Sequence, residues 1–407
     1  MQNNLYSHQI KLLDKNPERC LICHQTGCGK SRTSIELAYK NCNSFLVICP
    51  KSLKEQWRRE IEKWREGRNA SWLVVSKEEF RRDWDRLEKF EGVIVDEIHF
   101  FLGMKSQMMK SLLLYFKKHD IKYRWGATAT PFLSSAWSIY VAAKLLGHDW
   151  GYNKFKQRFF YDVRFGNRII PVQREGIESE IAQLVKMIGD TVSMNEIVDI
   201  PDQIFETEYI KLTSKQSAMI KNIPDILPVV RYTKEHQISQ GILIGDEYNE
   251  DKTFECDKDE RIMELIEEFK RVAIFCRYNL QIDKIKKMVE DEYDGTKDVF
   301  IIRGDVKNRD EIIQKVNKSD NYVIIINCAC SEGYEIRNTD LVIFASLDYS
   351  LKNTIQSIGR FLRINFLKKN LYVFLLAGEI DQAVYDSYLL KQDFHIEIYA
   401  KNIKKKS

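Results

Sequence analysis

The octapeptide HQTGCGKS, His24 to Ser31, has residue types suited to gripping a phosphate. Gly27 and Gly29 permit a backbone turn whose N–H groups point inward at phosphate oxygens. A helix starting near Lys30 would add its positive N-terminal end. Lys30 can reach the β- and γ-phosphates, and Ser31 can ligate Mg2+. Thr26, Gly27, Cys28, Gly29, Lys30 and Ser31 are therefore the candidate nucleotide-binding residues. The pattern G-x-x-x-x-G-K-[ST] fails only at its first position, where His24 stands. The later glycine, lysine and serine do most of the phosphate holding, so the reading survives that departure. The alternative is a tight strand-to-helix turn that binds nothing. Downstream, GVIVDEIHF ends an apolar run in two adjacent carboxylates, Asp96 and Glu97. One can hold Mg2+ through water while the other orients or deprotonates an attacking water; the alternative is a solvent-facing acidic turn. Near the far end, QSIGRFLR places Arg360 and Arg363 on one helix face, where arginines could stabilise charge on a transferred γ-phosphoryl group.

These residues need elements to hold them. CLIC precedes the glycine loop, SFLVICP precedes KSLKEQWRREIEKW, and GVIVDE and YRWGATATP follow. Such short β-branched runs separated by amphipathic stretches predict buried parallel strands alternating with helices. The glycine-rich or charged residues fall at strand C-termini, where open α/β sheets bind ligands. The alternation pauses between about 135 and 260, where IESEIAQLVKMIGD reads as helix and IVDIPDQIFETEYIKLT as extended chain. It resumes with RVAIFCRY, DVFIIRGD, YVIIINCA, DLVIFAS and NLYVFLLAG. The expected fold is α/β, two lobes that are each a mostly parallel sheet flanked by helices, with the nucleotide cleft between them. Lobe one is expected over 1–165, a connecting region over 166–257 and lobe two over 258–407.

Composition bounds the rest. With 407 residues, 44% hydrophobic and 30% charged, the chain should fold around real cores. There is no apolar run of membrane-spanning length, no signal-peptide pattern at the N-terminus and no internal repeat. Nine cysteines without repeated spacing point to a reducing compartment, the cytoplasm. A net charge of +4 does not by itself call for nucleic acid, and KNIKKKS reads as a solvated basic end or a DNA contact. Cys20 and Cys23 form C-x-x-C inside a strand and read as core, as do Cys328 and Cys330. Trp57 and Trp64, on one amphipathic stretch, read as core or as base-stacking residues.

Taken together, DEIH, GATATP at 126–131 and QSIGRFLR at 356–363 resemble the DExH box, third and sixth motifs of superfamily 2 helicases and translocases, in the same order. LYSHQ places Gln9 like the upstream glutamine that reads adenine in that superfamily. FLVICPKSLKEQWRREIEKW is similar to the I-V-C-P-x-S-L…W…E segment of the Snf-like, double-strand translocase branch. SSAWSIYVAAKLLGHDWGYNKFKQRFF, IVDIPDQIFETEYIKLTSKQ and RGDVKNRDEIIQKV resemble further segments of that branch, and VIIINCACSEGYEI, with Gly333, its fifth motif. SEGYEI lacks the motif's first glycine and its asparagine, and no chromatin-reading module is present. The compact, Lys/Ile/Asn-rich chain resembles Snf-like helicases that phages encode for replication or recombination.

The resemblance implies two RecA-like lobes that use ATP and Mg2+ to move on nucleic acid, DNA rather than RNA, as a monomer in solution, in the host cytoplasm if phage-encoded. Partner proteins of replication or recombination are possible. Ser31 and Asp96 would hold Mg2+ and Glu97 would act on water, while Lys30, Arg360, Arg363 and Gln356 complete the catalytic set by lobe closure. His99, Thr128 and Thr130 would couple hydrolysis to DNA, His99 through Gln356 or by simple packing. Pro50, Lys51, Ser52, Arg277 and Gly304 are the implied nucleic-acid contacts. A strand-separating helicase on DNA or RNA, and an ATP-gated clamp with little turnover, are the alternatives. The intact acid pair and both arginines speak against the clamp.

Overall fold

The computed structural model describes residues 5–104, 106–129, 136–165, 168–174, 176–197, 203–224, 227–245, 249–330, 334–361 and 369–390. Thr130, Gly333 and Arg363, and the basic tail, lie outside them. The chain divides into two compact units, Met1–Ile200 and Pro201–Ser407.

The first unit is built on a parallel sheet of β1 (Arg19–His24), β2 (Ser44–Cys49), β3 (Ser71–Ser76), β4 (Gly92–Val95), β5 (Tyr123–Ala127) and, after an antiparallel hairpin of β6 (Phe160–Phe165) and β7 (Arg168–Gln173), β8 (Gly189–Val192). Their spatial order is β3-β2-β4-β5-β1-β8. Alternate residues of each strand feed different cores. Leu21, Cys23, Leu46, Ile48, Val93 and Val95 join one buried cluster, while Cys20, Ile22, Phe45, Val47 and Ile94 join another. Two cores from one set of strands mean that both sheet faces are covered, which is why these runs are apolar throughout instead of alternating. Trp137, on the helix Ala136–Leu145, stacks on Phe160 at 4.3 Å and on Tyr152 at 5.3 Å, so the tryptophan-and-phenylalanine segment singled out in the sequence is an aromatic cluster of this unit.

The second unit repeats the plan. β9 (Ile204–Ile210) comes first, then a small antiparallel pair, β10 (Ile242–Leu243) with β11 (Lys252–Thr253), then β12 (Arg271–Cys276), β13 (Asp298–Ile302), β14 (Tyr322–Asn327), β15 (Leu341–Phe344) and β16 (Leu371–Ala377). The six-stranded parallel sheet has the order β13-β14-β12-β15-β16-β9, again with a core on each face. These are two RecA-like α/β lobes. No helix among the described residues is long and apolar enough to cross a membrane.

The stretch 166–257, expected as a connecting region of its own, is instead shared between the lobes. β8 pairs with β1 from Leu21–Gly189 to His24–Val192, whereas β9 pairs with β16 along its full length. Both are edge strands with one neighbour, so neither carries the continuous apolar run that marks a central strand. The L-T-x-x-Q segment has a local explanation as well. Thr213 Oγ1 accepts from Gln216 N–H and Gln216 Oε1 accepts from Thr213 N–H, a reciprocal cap at the start of the helix Ser214–Lys221. The Gln216 amide also donates to the carbonyls of Ile238 and Ser239, tying that helix to the helix Pro228–Ser239.

Candidate nucleotide-binding site

Because all strands of the first sheet run parallel, their C-terminal ends share one edge. Four of those ends carry the candidate residues: the glycine loop after β1, Pro50–Ser52 after β2, Asp96 and Glu97 after β4, and Thr128 after β5. Main-chain bonds fix these ends to their neighbours. Asp96 N–H donates to Ile48 O at 2.8 Å, and Thr128 N–H to Ile22 O at 3.0 Å.

The loop turns through positive φ at Gly27 (92°) and Gly29 (77°), then enters the helix Lys30–Asn41 directly. Glycine is required at 29 twice over, since a Cβ there would also lie 2.6 Å from Gln9 Nε2. Gln9 is buried and its amide is committed to the loop. Nε2 donates to Gly29 O at 3.1 Å and to Thr33 Oγ1 at 3.2 Å, while Oε1 accepts from Tyr6 N–H at 2.8 Å. Thus both N–H groups of the glutamine assigned to adenine are engaged in bracing the loop. His8 Nε2 also meets the loop, at Cys28 O, 2.9 Å away. His24, the residue that breaks the motif, is fully buried and bonds Asp190 Oδ2 of β8 at 2.9 Å. It is a strand-end anchor, pinning the base of the loop to the neighbouring strand.

Asp96 and Glu97 are both buried. Asp96 Oδ1 accepts from Glu97 N–H at 3.0 Å, and Oδ2 accepts from the indole N–H of Trp57 at 2.7 Å. Burial, and then the charge of Glu97, push the Asp96 carboxyl well above its ordinary 3.8 against the opposing pull of Trp57 and Lys30. A buried carboxylate whose charge is disfavoured, beside a second buried acid, is a site that gains from a cation. Glu97 sits in the left-handed region at φ 47°, ψ 51°, a conformation costing a non-glycine residue about 1 kcal/mol or more. The single turn Ile98–Phe101 follows at once, and Ile98 packs where a Cβ on Gly126 would collide with it. That packing holds the strained corner. His99 Nδ1 lies 3.1 Å from Glu97 Oε2, so one of its contacts is the carboxylate assigned to water.

Trp57 is the functional residue that sequence reasoning treated as core or base-stacking. It is core, at 2% exposure, but its N–H is spent on Asp96. Trp64 donates to Glu60 and lies under the guanidinium of Arg32, 3.5 Å from ring centroid to Cζ, so it too is structural. Cys20 and Cys23 belong to opposite cores, and burial pushes the Cys20 thiol up to about 12. No group of three or more His, Cys, Asp or Glu among the described residues could hold a metal by itself.

In the second lobe the candidates also follow strand ends. Gln356 lies in the helix Leu351–Ile358, 1% exposed, and among the described residues neither end of its amide has a hydrogen-bond partner. Arg360 is buried, donates to Tyr334 O at 3.3 Å and keeps Nε without a partner among the described residues. Polar groups buried in that state suit a ligand-completed site. Gly304 follows β13 with open space at its Cα. Arg277 is partly exposed. Its guanidinium pairs with Asp348 at 3.2 Å and stacks 3.7 Å from the Tyr349 ring centroid, so these neighbours fix its orientation. Lys51 and Ser52 are exposed, as a contact surface needs, whereas Pro50, expected beside them, is buried at the start of the turn.

Residues 257–365 match the family model of the helicase conserved C-terminal domain, and residues 1–86 match that of the type III restriction enzyme res subunit. No curated protein matches the sequence. Among solved structures, the chain is similar to the SWI2/SNF2 ATPase core of Sulfolobus solfataricus in complex with dsDNA, at 20% identity and a TM-score of 0.43, over 96% of this chain and 91% of that one. With a type III restriction enzyme res-subunit match on the first lobe and a helicase C-terminal match on the second, the chain resembles the superfamily 2 helicases and translocases, the nucleic-acid-dependent ATPases.

Proposed function

We propose that the chain is a DNA translocase of the Snf-like branch, hydrolysing ATP to move on duplex or forked DNA. The observation that carries the ATPase reading is the convergence of Lys30, Ser31, Asp96 and Glu97 on one sheet edge, with Lys30 among the charges acting on Asp96. The Snf-like segments at 45–64 and 197–216 favour duplex translocation over strand separation. Replication and recombination are processes that generate forks and branches, and the proposal places the chain there.

Lys30 and the N-terminus of its helix take the phosphates. The residues present fit Mg2+: Ser31 offers a hydroxyl in the first helical turn, and Asp96 is a buried carboxylate that gains from positive charge. When bound, Mg2+ would supply charge neutralisation across the β- and γ-phosphates. Glu97 holds or deprotonates the attacking water, with His99 against its carboxylate. Arg360 and Arg363 stabilise charge on the transferred phosphoryl group. The duplex is gripped through its phosphates without sequence readout, Lys51 and Ser52 contributing from the first lobe.

The test is the ATPase rate of wild type and Lys30→Ala with no nucleic acid, single-stranded DNA, duplex, forked DNA and RNA, paired with triplex displacement. Stimulation by duplex or fork that Lys30→Ala abolishes, with triplex displaced and plain partial duplexes left paired, is the expected result. Stimulation by single strands or RNA alone would replace this reading with a conventional helicase.

A further inference from the structure

Trp57 stands between two parts of the first lobe that the function must connect. At one end its indole N–H donates to Asp96 Oδ2 at 2.7 Å. Oδ1 is already held by Glu97 N–H at 3.0 Å. With one donor on each oxygen the carboxylate plane has a single orientation, and one lone pair of each oxygen is left for other partners. At the other end, Trp57 belongs to the helix Lys54–Lys63, which continues without a break from the single turn Lys51–Leu53. Leu53 N–H donates to Pro50 O at 2.9 Å, so the chain from Pro50 to Trp57 is one hydrogen-bonded rod. Lys51 and Ser52 at its start are exposed, whereas Trp57 is 2% exposed. Lys54 pins the rod to the end of β3 through Glu79, 2.7 Å away.

Core packing asks only for a bicyclic ring of this shape, since the surrounding cluster, which includes Val47, Ile94 and Trp125, is apolar. What only tryptophan brings is a donor aimed at a buried acid. We infer that Trp57 is a positioning residue: it orients Asp96 toward the Mg2+ position and transmits to it the occupation of the Lys51–Ser52 surface, so that nucleic acid on that surface raises the turnover of ATP. This rests on the nucleotide and nucleic-acid assignments proposed above. A charge-assisted hydrogen bond to a buried carboxylate is worth enough that its loss should be read as roughly a ten-fold change.

The experiment uses the full chain with phenylalanine at the position, Trp57→Phe, and a second variant with benzothienylalanine at position 57, which keeps the bicyclic shape and lacks only the N–H. A fluorescent ADP analogue is titrated in Mg2+ and in EDTA, without nucleic acid. Separately, kcat and KM for ATP are measured with and without duplex DNA. In both variants Mg2+ should tighten nucleotide binding by roughly ten-fold less than in wild type, with the affinity in EDTA retained. Stimulation of kcat by duplex should fall by a similar factor, with KM changing less. Unchanged tightening by Mg2+ in the benzothienylalanine variant would overturn the assignment and leave Trp57 as core. Weakened tightening with full duplex stimulation would overturn the link to the Lys51–Ser52 surface. If wild type itself hydrolyses no ATP, the proposed function fails, while the Mg2+ titration still decides whether Trp57 orients Asp96.

Discussion

Two imidazoles lie against the glycine loop. His24 donates through Nε2–H to Asp190, and His8 through Nε2–H to Cys28 O, and the two rings meet edge to face at 5.0 Å. Burial, the largest influence, holds His8 below its ordinary 6.5, and its Nδ1 has no hydrogen-bond partner among the described residues. His24→Gly would restore the first glycine of the motif, yet it removes a fully buried ring and the donor on Asp190. We expect that substitution to lower the unfolding free energy by about 2–4 kcal/mol, read by urea titration. The chemistry itself should fail at other residues. Lys30→Ala, Glu97→Gln and Arg360→Ala should each cost about 3 kcal/mol or more of transition-state stabilisation, seen as a hundred-fold or larger loss of ATPase at unchanged melting temperature. Near-wild-type turnover in any of them would remove that residue from its role. Lys30, Asp96 and Glu97 were legible in the sequence because phosphate and metal chemistry tolerate few residue types at a strand end. Trp57 and Asp190 were not, because each acts on a residue remote in sequence, and only the fold makes them neighbours.

The helix Pro228–Ser239, the start of the helix Asp257–Glu268 and the start of the helix Gly378–Leu389 meet the second sheet at a buried polar knot. Lys258 Nζ donates to Asp381 Oδ2 at 2.8 Å, to Gln240 Oε1 at 2.7 Å and to the carbonyls of Ala345 and Leu375. His236 Nε2–H donates to Asp381 Oδ1 at 2.8 Å, and its Nδ1 accepts from Tyr278 O–H at 2.9 Å. Lys258→Met would leave the fully buried Asp381 without its cation, and we expect a loss of about 3–5 kcal/mol in chemical unfolding of this lobe. The knot also sets a pH response. Burial pushes His236 below its ordinary 6.5; for Asp381, burial opposes the charge, but Lys258 and His236 outweigh it and hold the carboxyl below its ordinary 3.8. Both folded values lie below the unfolded ones, so the unfolded chain takes up protons first and stability falls with pH. The His236 contribution is complete above about 6.5 and declines below it. Unfolding titrations at pH 7 and pH 5.5 should show a drop in wild type that His236→Gln reduces. Central strands such as SFLVIC and YVIIIN were readable from their unbroken apolar runs, whereas this knot was not, since its members span the connecting stretch and the lobe and none belongs to a motif.

On the scale of the molecule, the backbone leaves one sheet at Val192 and enters the other at Ile204. Each sheet is then complete on its own side of the division at Ile200 and Pro201. A fragment ending at 165, the boundary suggested by the sequence, would lack β8, uncover the edge of β1 and strand His24 without Asp190. Residues 1–200 should melt cooperatively and 1–165 should not, a difference that circular dichroism on the two fragments would show. A polypeptide organised this way consists of two self-contained cassettes. The two pieces 1–200 and 201–407 could be supplied as separate subunits, and a foreign domain inserted near residue 200 would interrupt neither set of strand pairings. Variation in length near that division would leave both sheets intact while a new accessory activity is added.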